Sequence, residues 1–233
     1  MIPVVTFDVR SYASVDSTQD EAARLARAGA RHGTVVVAQE QTGGRGRSGR
    51  RWESPPGNVY LSAILRPGMP PERVPEIGFL AGIAVAEAID DACGCRSALK
   101  WPNDVMVSGA KVSGILLENH EATVILGIGI NVRTVPEAVN YPAARLGSEL
   151  KPELVRASLL RRLAWWLGEW GRAGFAPVRQ AWLERAHPAG TQLTITGPEV
   201  LVGRFAGLDP SGALLLETAA GLRRIVAGDV AVP

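Results

Sequence analysis

Apolar and polar positions follow two different periods along the first part of the chain. The β-branched run Thr34–Ala38 and the alternating stretch Asn58–Leu65 predict strands. Pro75–Asp91 instead repeats apolar residues at helical spacing. Thr18–Glu21 fits a helix-capping pattern, and the Ala- and Leu-rich run that follows stops before Gly29. This part therefore predicts a domain that combines strands with helices.

Four short apolar segments then follow at 98–101, 105–107, 112–117 and 123–132, with turn residues between them. This pattern predicts adjacent antiparallel strands. After Pro152 the period becomes helical as far as about Gly171, and a second helix is predicted from Pro177 to Arg185.

The last segment of the chain has a strand pattern of its own. His187–Gly190 breaks the preceding helix, and short strands are predicted at 192–196, 200–208, 213–217 and 222–226. They predict a small β-barrel, with a domain boundary between residues 187 and 188. A unit below about 60 residues is marginal alone, so it should pack against the first domain.

Composition narrows the class of protein. The 233 residues are 46% hydrophobic and 21% charged, which is typical of a folded chain and excludes disorder. No stretch approaches the roughly 18 uncharged apolar residues of a membrane helix, and no basic region precedes the first apolar residues. These features predict a soluble, cytoplasmic protein without a membrane partner. Cys93 and Cys95 are one residue apart, which predicts inert thiols.

Positive charge is concentrated in one segment, although the net charge is only +2. Residues 43–51, here called the Arg/Gly segment, contain four arginines and four glycines. Glycines let backbone N–H groups converge and guanidinium groups offer paired donors, so the segment suits a bound anion. A solvated loop or an RNA contact would use the same residues. Gln41 before it, Trp52 after it and the flanking predicted strands favour a ligand site.

A second polar cluster follows the predicted strand at 98–101. Lys100–Asp104 places a cation, an amide and a carboxylate around a proline, which favours an extended or turn backbone. Lys111 opens the next strand across a predicted hairpin turn. A charged residue at a strand start is usually solvated, but the apolar run Val112–Leu117 favours an ammonium that points into a pocket.

Other common catalytic patterns are absent from the sequence. There is no Gly-x-x-x-x-Gly-Lys-Ser/Thr phosphate loop, and Gly127–Gly129 lacks the third glycine of a dinucleotide-binding turn, which favours close packing inside a strand. His32, His120 and His187 have no metal-ligand spacing and no assignable serine partner. Hydrolase and metalloenzyme functions are therefore weakly supported.

Three motifs together resemble those of the biotin–protein ligases, also called holocarboxylase synthetases. They are Gly44–Trp52, Lys100–Asp104 and Lys111–Leu116, in this order and spacing. Asp16–Thr18 is similar to the family's biotin-contacting Ser-Thr-Asn segment, but Gln19 replaces the usual Asn. In addition, Ser48 stands where many members have arginine, while Gly129–Asn131 and Gly212–Glu217 are similar to a late core strand and to the C-terminal barrel.

The resemblance implies an α+β fold and an ATP-dependent activity. The expected architecture is a mixed β-sheet with helices, like class II aminoacyl-tRNA synthetase catalytic domains, over residues 1–187, followed by an SH3-like β-barrel over 188–233. The implied enzyme joins biotin to ATP as biotinyl-5′-adenylate and transfers biotin to a lysine of a biotin carboxyl carrier domain. Only 16 residues precede Ser17, which predicts the monofunctional form without a DNA-binding domain.

The resemblance also implies the site residues. The biotin-binding residues are Ser17, Thr18, Gln19, Gln41, Arg45, Gly46, Arg47, Lys111 and Gly114. The ATP- and adenylate-binding residues are Arg47, Arg50, Trp52, Asn103, Asp104, Lys111 and Asn131, with Trp52 stacked on adenine. Lys111 and Arg47 would offset the repulsion between two reacting anions, together with Mg²⁺. Asp104 would bind Mg²⁺ and take the proton of the incoming lysine.

Two other functions share some of these features. A lipoate–protein ligase would use the same fold and chemistry but would have a longer apolar slot and no Arg/Gly segment. An RGG-type RNA-binding module would carry aromatic platforms on strands, whereas three of the six tryptophans lie at 165–170. The expected partner is the carrier protein and not DNA, and the edge-to-edge sheet pairing common in the family would allow a homodimer.

Overall fold

A computed structural model describes residues 5–137, 139, 141–197 and 199–232, so the first four residues, which contribute to the prediction of a soluble, cytoplasmic protein, lie outside it. No helix in these ranges is long and apolar enough to cross a membrane. The helices are α1 (Thr18–Arg27), α2 (Pro75–Cys93), α3 (Pro152–Ala173) and α4 (Phe175–Leu183). The strands are β1 (Asp8–Val15), β2 (Thr34–Gln41), β3 (Val59–Leu65), β4 (Ala98–Lys100), β5 (Asp104–Val107), β6 (Ala110–His120), β7 (Thr123–Ile130), β8 (Gln192–Thr196), β9 (Val200–Leu208), β10 (Leu214–Thr218), β11 (Gly221–Ile225) and β12 (Asp229–Ala231).

The first sheet has seven strands in the order β1-β2-β3-β7-β6-β5-β4. Only β1 runs parallel to its neighbour, so the predicted mixed sheet is confirmed. The predicted antiparallel order of β4 to β7 is also confirmed, with pairs such as Val105–Ser113 and Ile115–Ile128. The sequence pattern does not predict β1, because this edge strand is mostly exposed and does not alternate between apolar and polar positions.

Helices cover both faces of this sheet. On one face α1 packs Ala22 and Leu25 against Val36, Ile64 and Ile125. On the other face α2 lies between the sheet and the pair α3 and α4, so it is buried around most of its circumference. The apolar core therefore lies mainly on the α2 side of the sheet, and the core under α1 is small.

The second sheet has the order β11-β10-β9-β8-β12, and all its pairs are antiparallel. The small barrel that the sequence predicts is an antiparallel sheet that does not close, because in the described residues β12 joins the β8 edge and nothing pairs it with β11. A barrel needs its first and last strands to meet. The sheet packs against the first domain as expected, since Trp101 Nε1 donates to Gly212 O at 3.2 Å.

The end of α2 differs from the sequence-based interpretation. Cys93 and Cys95 form a disulfide, so the prediction of free thiols is wrong. Gly94, between them, has a φ of 62°, a left-handed conformation that glycine adopts readily. This turn brings the two Cα atoms to 5.3 Å, within the range that a disulfide needs.

Candidate active site

A cavity of about 330 Å³ opens over β3, β6 and β7, beside the start of α1 and the Arg/Gly segment. Its walls include the following sequence-predicted residues: Ser17, Thr18, Gln19, Gln41, Arg45, Gly46, Arg47, Arg50, Trp52, Asn103, Lys111, Gly114 and Asn131. Asp104 stands just behind this wall, in contact with Lys111. Segments far apart in sequence therefore meet at one site.

The start of α1 builds a polar corner of the cavity. Ser17 is the N-cap and accepts a hydrogen bond from Gln19 N at 3.2 Å, one residue before the predicted cap. Gln41 Oε1 accepts from Thr18 N at 2.8 Å and from Thr18 Oγ1 at 3.1 Å. Ser62 on β3 donates to Thr18 Oγ1 at 2.8 Å. These bonds fix the corner before any ligand binds.

Gln19 brings an unpaired acceptor to the cavity. The residue is buried, and its Nε2 donates to Ile125 O at 3.4 Å. Its Oε1 has no hydrogen-bond partner in the described residues although the atom is buried. Gly127 makes room for it, because a Cβ there would lie 2.7 Å from Oε1. Buried polar atoms are almost always paired, so this oxygen suits an N–H group of a ligand.

Two glycines of the sheet allow Trp52 to lie against the cavity floor. A Cβ on Gly129 would lie 2.6 Å from the indole Nε1, and a Cβ on Gly114 would lie 3.0 Å from the ring. The expected close packing at 127–129 is thus confirmed. The indole Nε1 is also buried and has no hydrogen-bond partner in the described residues. Stacking of Trp52 on adenine stays a prediction.

Carboxylates hold the first arginine of the Arg/Gly segment. Arg45 Nη1 pairs with Asp20 on α1, and its Nη2 donates to Glu118 on β6 at 3.1 Å. The hydrogen bond that Arg45 donates to Asp20 and the pair with Glu118 raise the pKa of the Arg45 guanidinium. Arg45 therefore bridges the two sides of the cavity and keeps its charge.

The next two arginines reach the second domain. Arg47 Nη1 donates to Asn103 Oδ1 at 3.0 Å, and Arg50 Nη2 donates to Asp229 Oδ1 at 3.0 Å. Arg47 Nη1 is also 3.7 Å from Asp229. Burial, which removes part of its hydration, lowers the pKa of Arg47. The guanidinium is partly buried, so it would interact with an anion in the cavity more strongly than a fully solvated guanidinium would.

Lys111 is a further cation of the site. Its ammonium lies 2.6 Å from Asp104 Oδ1, and Asp104 Oδ2 is 3.9 Å from Lys100 Nζ. Antiparallel pairing of β5 and β6 brings these residues together across the hairpin turn, as the sequence predicted. Asn103 is fixed beside them, because its Nδ2 donates to Ile115 O at 2.9 Å. The motif thus places a cation, an amide and a carboxylate at one end of the cavity.

Some residues at the site lie outside the sequence motifs, among them Asp229, Tyr141 and Ser62. Asp229 lies in the second sheet, and Tyr141 lies in the segment after β7, with its ring 5.3 Å from the Lys111 ammonium. Ser62 is a polar residue within the apolar strand β3, which is only a weak indication in the sequence that it belongs to a site. Asn131 had been predicted, and its Nδ2 donates to Ala144 O at 3.2 Å.

The described residues contain no group of three or more His, Cys, Asp or Glu side chains that could hold a metal ion. The Asp104 carboxylate already faces the ammonium groups of Lys111 and Lys100. The site therefore does not fit a resident Mg²⁺ ion.

Family profiles match two parts of the chain. The profile described as "Biotin/lipoate A/B protein ligase family" matches residues 12–134, and "Biotin protein ligase C terminal domain" matches residues 191–232. Biotin--[acetyl-CoA-carboxylase] ligase of Paracoccus denitrificans is 39% identical to this chain, over 94% of the chain and 98% of that protein.

Two further comparisons cover nearly the whole chain. Bifunctional ligase/repressor BirA of Bacillus subtilis (strain 168) is 36% identical, over 93% of this chain and 71% of that protein. The solved structure titled "Biotin protein ligase from Aquifex aeolicus in complex with biotin and ATP" has a TM-score of 0.87 and 31% identity, over 97% of this chain and 98% of that chain.

Proposed function

Because the chain belongs to the biotin/lipoate A/B protein ligase family, we propose that it is a biotin–[acetyl-CoA-carboxylase] ligase. In the proposed reaction biotin and ATP give biotinyl-5′-adenylate and pyrophosphate, and biotin then passes to a lysine of a carrier domain. One observation carries this proposal: a single cavity joins a polar corner with an unpaired acceptor, at Gln19, to a cationic end at Lys111 and Arg47.

The polar corner fits the ureido group of biotin, which has two N–H donors and one carbonyl acceptor. Gln19 Oε1 offers an acceptor without a partner in the described residues, and the hydroxyl groups of Ser17 and Thr18 line the same corner. Leu61 and Ile128 supply apolar wall beside it. The biotin roles assigned to Gln41, Arg45, Gly46 and Gly114 stay predictions.

The cationic end fits the first reaction step. A carboxylate oxygen of biotin forms a bond to the α-phosphorus of ATP, and the bond to the leaving pyrophosphate breaks. Both reactants are anions, so fixed cations lower the barrier by offsetting the charge that gathers at the α-phosphate. Lys111 and Arg47 are proposed for this role. In this role the Lys111 ammonium must leave the Asp104 carboxylate and bind the substrate instead.

In the second step the carrier lysine attacks the acyl carbon and AMP leaves. The attacking amine must lose a proton, and Asp104 is the proposed acceptor because its carboxylate lies beside Lys111 at the reacting end. ATP is the magnesium complex in this proposal, so magnesium enters with the substrate. A magnesium contact to Asp104 and nucleotide contacts from Arg50, Trp52, Asn103 and Asn131 stay predictions.

The C-terminal match favours biotin over lipoate, since its profile is that of biotin protein ligases. A pyrophosphate-exchange assay with biotin, lipoate or neither tests this directly. We expect exchange with biotin alone, followed by transfer of biotin to one lysine of an acetyl-CoA carboxylase carrier domain. Exchange with lipoate, or none with either acid, would refute the proposal. The domain boundary, the homodimer, the lack of a DNA partner and the cytoplasmic location also stay predictions.

A further inference from the structure

Tyr141 lines the cavity beside Lys111, although no motif contains it. The Lys111 ammonium lies 5.3 Å from the centroid of the Tyr141 ring and 5.5 Å from that of the Trp52 ring. Both distances are within the roughly 6 Å at which an aromatic ring attracts a cation. We propose that Tyr141 is a positioning residue for Lys111 in adenylate formation, an inference that rests on the proposed function.

The backbone keeps Tyr141 beside Lys111. Lys111 N donates to Pro142 O at 2.8 Å, and Ala144 N donates to Lys111 O at 2.9 Å. These bonds form a short parallel bridge between Lys111 and Ala143. The residue that follows Tyr141 is thus hydrogen-bonded to the lysine itself. This pairing holds the backbone that carries Tyr141 beside the lysine.

The same segment is tied to the end of β7. Leu146 N donates to Asn131 O at 3.1 Å, and Asn131 Nδ2 donates to Ala144 O at 3.2 Å. Gly147 N donates to Val132 O at 2.9 Å. Hydrogen bonds to β6 and to the end of β7 therefore set the position of the segment that carries Tyr141.

An aromatic ring suits a lysine that must change partners. Lys111 contacts Asp104 at 2.6 Å, and in the proposed reaction its N–H groups must turn to the substrate. The ring attracts the charge through its quadrupole and needs no particular N–H direction, so it holds the ammonium during the exchange. Burial and the nearby Asp104 raise the pKa of the Tyr141 phenol. The phenol is therefore neutral at neutral pH, and the attraction comes from the ring.

Two matched variants separate the ring from the hydroxyl group. Tyr141→Phe keeps the ring, and Tyr141→Leu removes it but leaves an apolar side chain. In biotin-dependent pyrophosphate exchange we expect Tyr141→Phe to stay within about twofold of the parent. We expect Tyr141→Leu to lower kcat about 5- to 30-fold, with a smaller change in the KM for biotin. Trp165→Leu, at an exposed tryptophan of α3, is the control for loss of an aromatic residue.

A second measurement needs no enzyme activity. Acetylation of Lys111 by acetic anhydride, measured by mass spectrometry without substrates, should be at least about threefold faster in Tyr141→Leu than in Tyr141→Phe, with Lys151 as internal reference. Tyr141→Met replaces the Leu variant if that variant does not fold. Equal kcat values and equal acetylation rates in the Phe variant and the ringless variant would overturn the inference. A parent enzyme without biotin-dependent exchange would refute the proposed function instead, and the acetylation comparison would still decide the role of Tyr141.

Discussion

Asp229 of the second sheet accepts a hydrogen bond at 3.0 Å from Arg50 of the Arg/Gly segment, across 179 residues of sequence. Arg47 lies 3.7 Å from the same carboxylate oxygen. The second domain therefore supplies an anion to the segment that is proposed to bind substrate anions. Four like charges within nine residues would repel one another if nothing offset them. The structure instead pairs Arg45, Arg47 and Arg50 with acidic side chains.

Asp229→Asn should loosen the Arg/Gly segment without a measurable loss of overall stability. Both partners of the Arg50 pair are about half exposed, and such pairs contribute only about 0–1 kcal/mol. We expect limited proteolysis within 43–51 to be about two- to fivefold faster than in the parent without ligand. Addition of biotin and ATP should slow cleavage in both proteins.

Glu199→Gln is the matched control for that variant. It removes a similarly exposed pair with Arg223, 3.0 Å long, in the same domain but away from the segment. Its cleavage rate should equal that of the parent. If Asp229→Asn also matched the parent, the Arg50 contact would have no part in ordering the segment.

Lys111→Ala should remove most adenylation activity and leave the fold intact. Loss of a charge-assisted hydrogen bond to substrate costs roughly 1.5–3 kcal/mol, which gives at least an approximately 10- to 150-fold slower reaction. Asp104 would keep Lys100 as a cationic neighbour. The measurement is biotin-dependent pyrophosphate exchange, with Lys151→Ala, an exposed lysine before α3, as control. Activity within twofold of the parent would remove Lys111 from the reacting centre.

Gln19→Met should weaken biotin binding without lowering stability. The variant removes a buried acceptor that has no hydrogen-bond partner in the described residues, together with one long hydrogen bond to Ile125 O. We expect the Kd for biotin to rise about 2- to 10-fold, the usual effect of one lost neutral hydrogen bond. Calorimetric titration measures the Kd and thermal unfolding measures the Tm. The exposed Gln180→Met is the control, and an unchanged Kd would show that Gln19 makes no bond to biotin.

Asp209 should make the stability of the protein depend on acid pH. Burial by itself would raise the pKa of this carboxyl group, but hydrogen bonds from Arg224, Ser211 and Ala213 N lower it from 3.8 to about 2. Stabilisation by the ionised group is therefore complete above about pH 4 and is lost as the pH falls through about 2. We expect Asp209→Asn to be less stable than the parent by about 1 kcal/mol at pH 7, after allowance for solvent screening.

The test of the Asp209 prediction is urea unfolding of the parent and the variant at several pH values. The difference in free energy of unfolding should shrink as the pH falls from about 4 to about 2. Asp8→Asn, at an exposed acid of β1, serves as the control. A difference that stays constant over this range would show that the charge of Asp209 does not stabilise the fold.

The sequence predicted best those helices and strands whose own apolar pattern indicates which of their residues are buried. The strand β3 is apolar and fully buried, and α2 keeps a helical period over its whole length, so both were expected near their observed bounds. The strand β1 was missed because an exposed edge strand needs no apolar alternation. The strands of the second sheet were predicted, but strand patterns do not show whether β11 and β12 meet, so the lack of closure was not.

The residues of the site also divide into those that the sequence predicted and those that it did not. Residues within the motifs, such as Gln41, Trp52 and Lys111, were predicted because substrate chemistry requires particular side chains at short, fixed spacings. Asp229 and Tyr141 were not predicted, since each acts on a motif residue that lies far from it in sequence. Such contacts follow from the way the second sheet and the segment after β7 fold back over the site.

The sequence by itself determined which side chains carry the proposed chemistry and which elements hold them, because burial periodicity and motif spacing are local properties of the chain. The tertiary structure alone decided which charges meet. It paired Arg50 with Asp229 and Lys111 with Asp104, and it left Gln19 Oε1 at the cavity wall with no hydrogen-bond partner among the described residues. Hydrogen bonds and ion pairs act over a few ångströms, so their partners are defined only when packing of the apolar core has brought distant segments together.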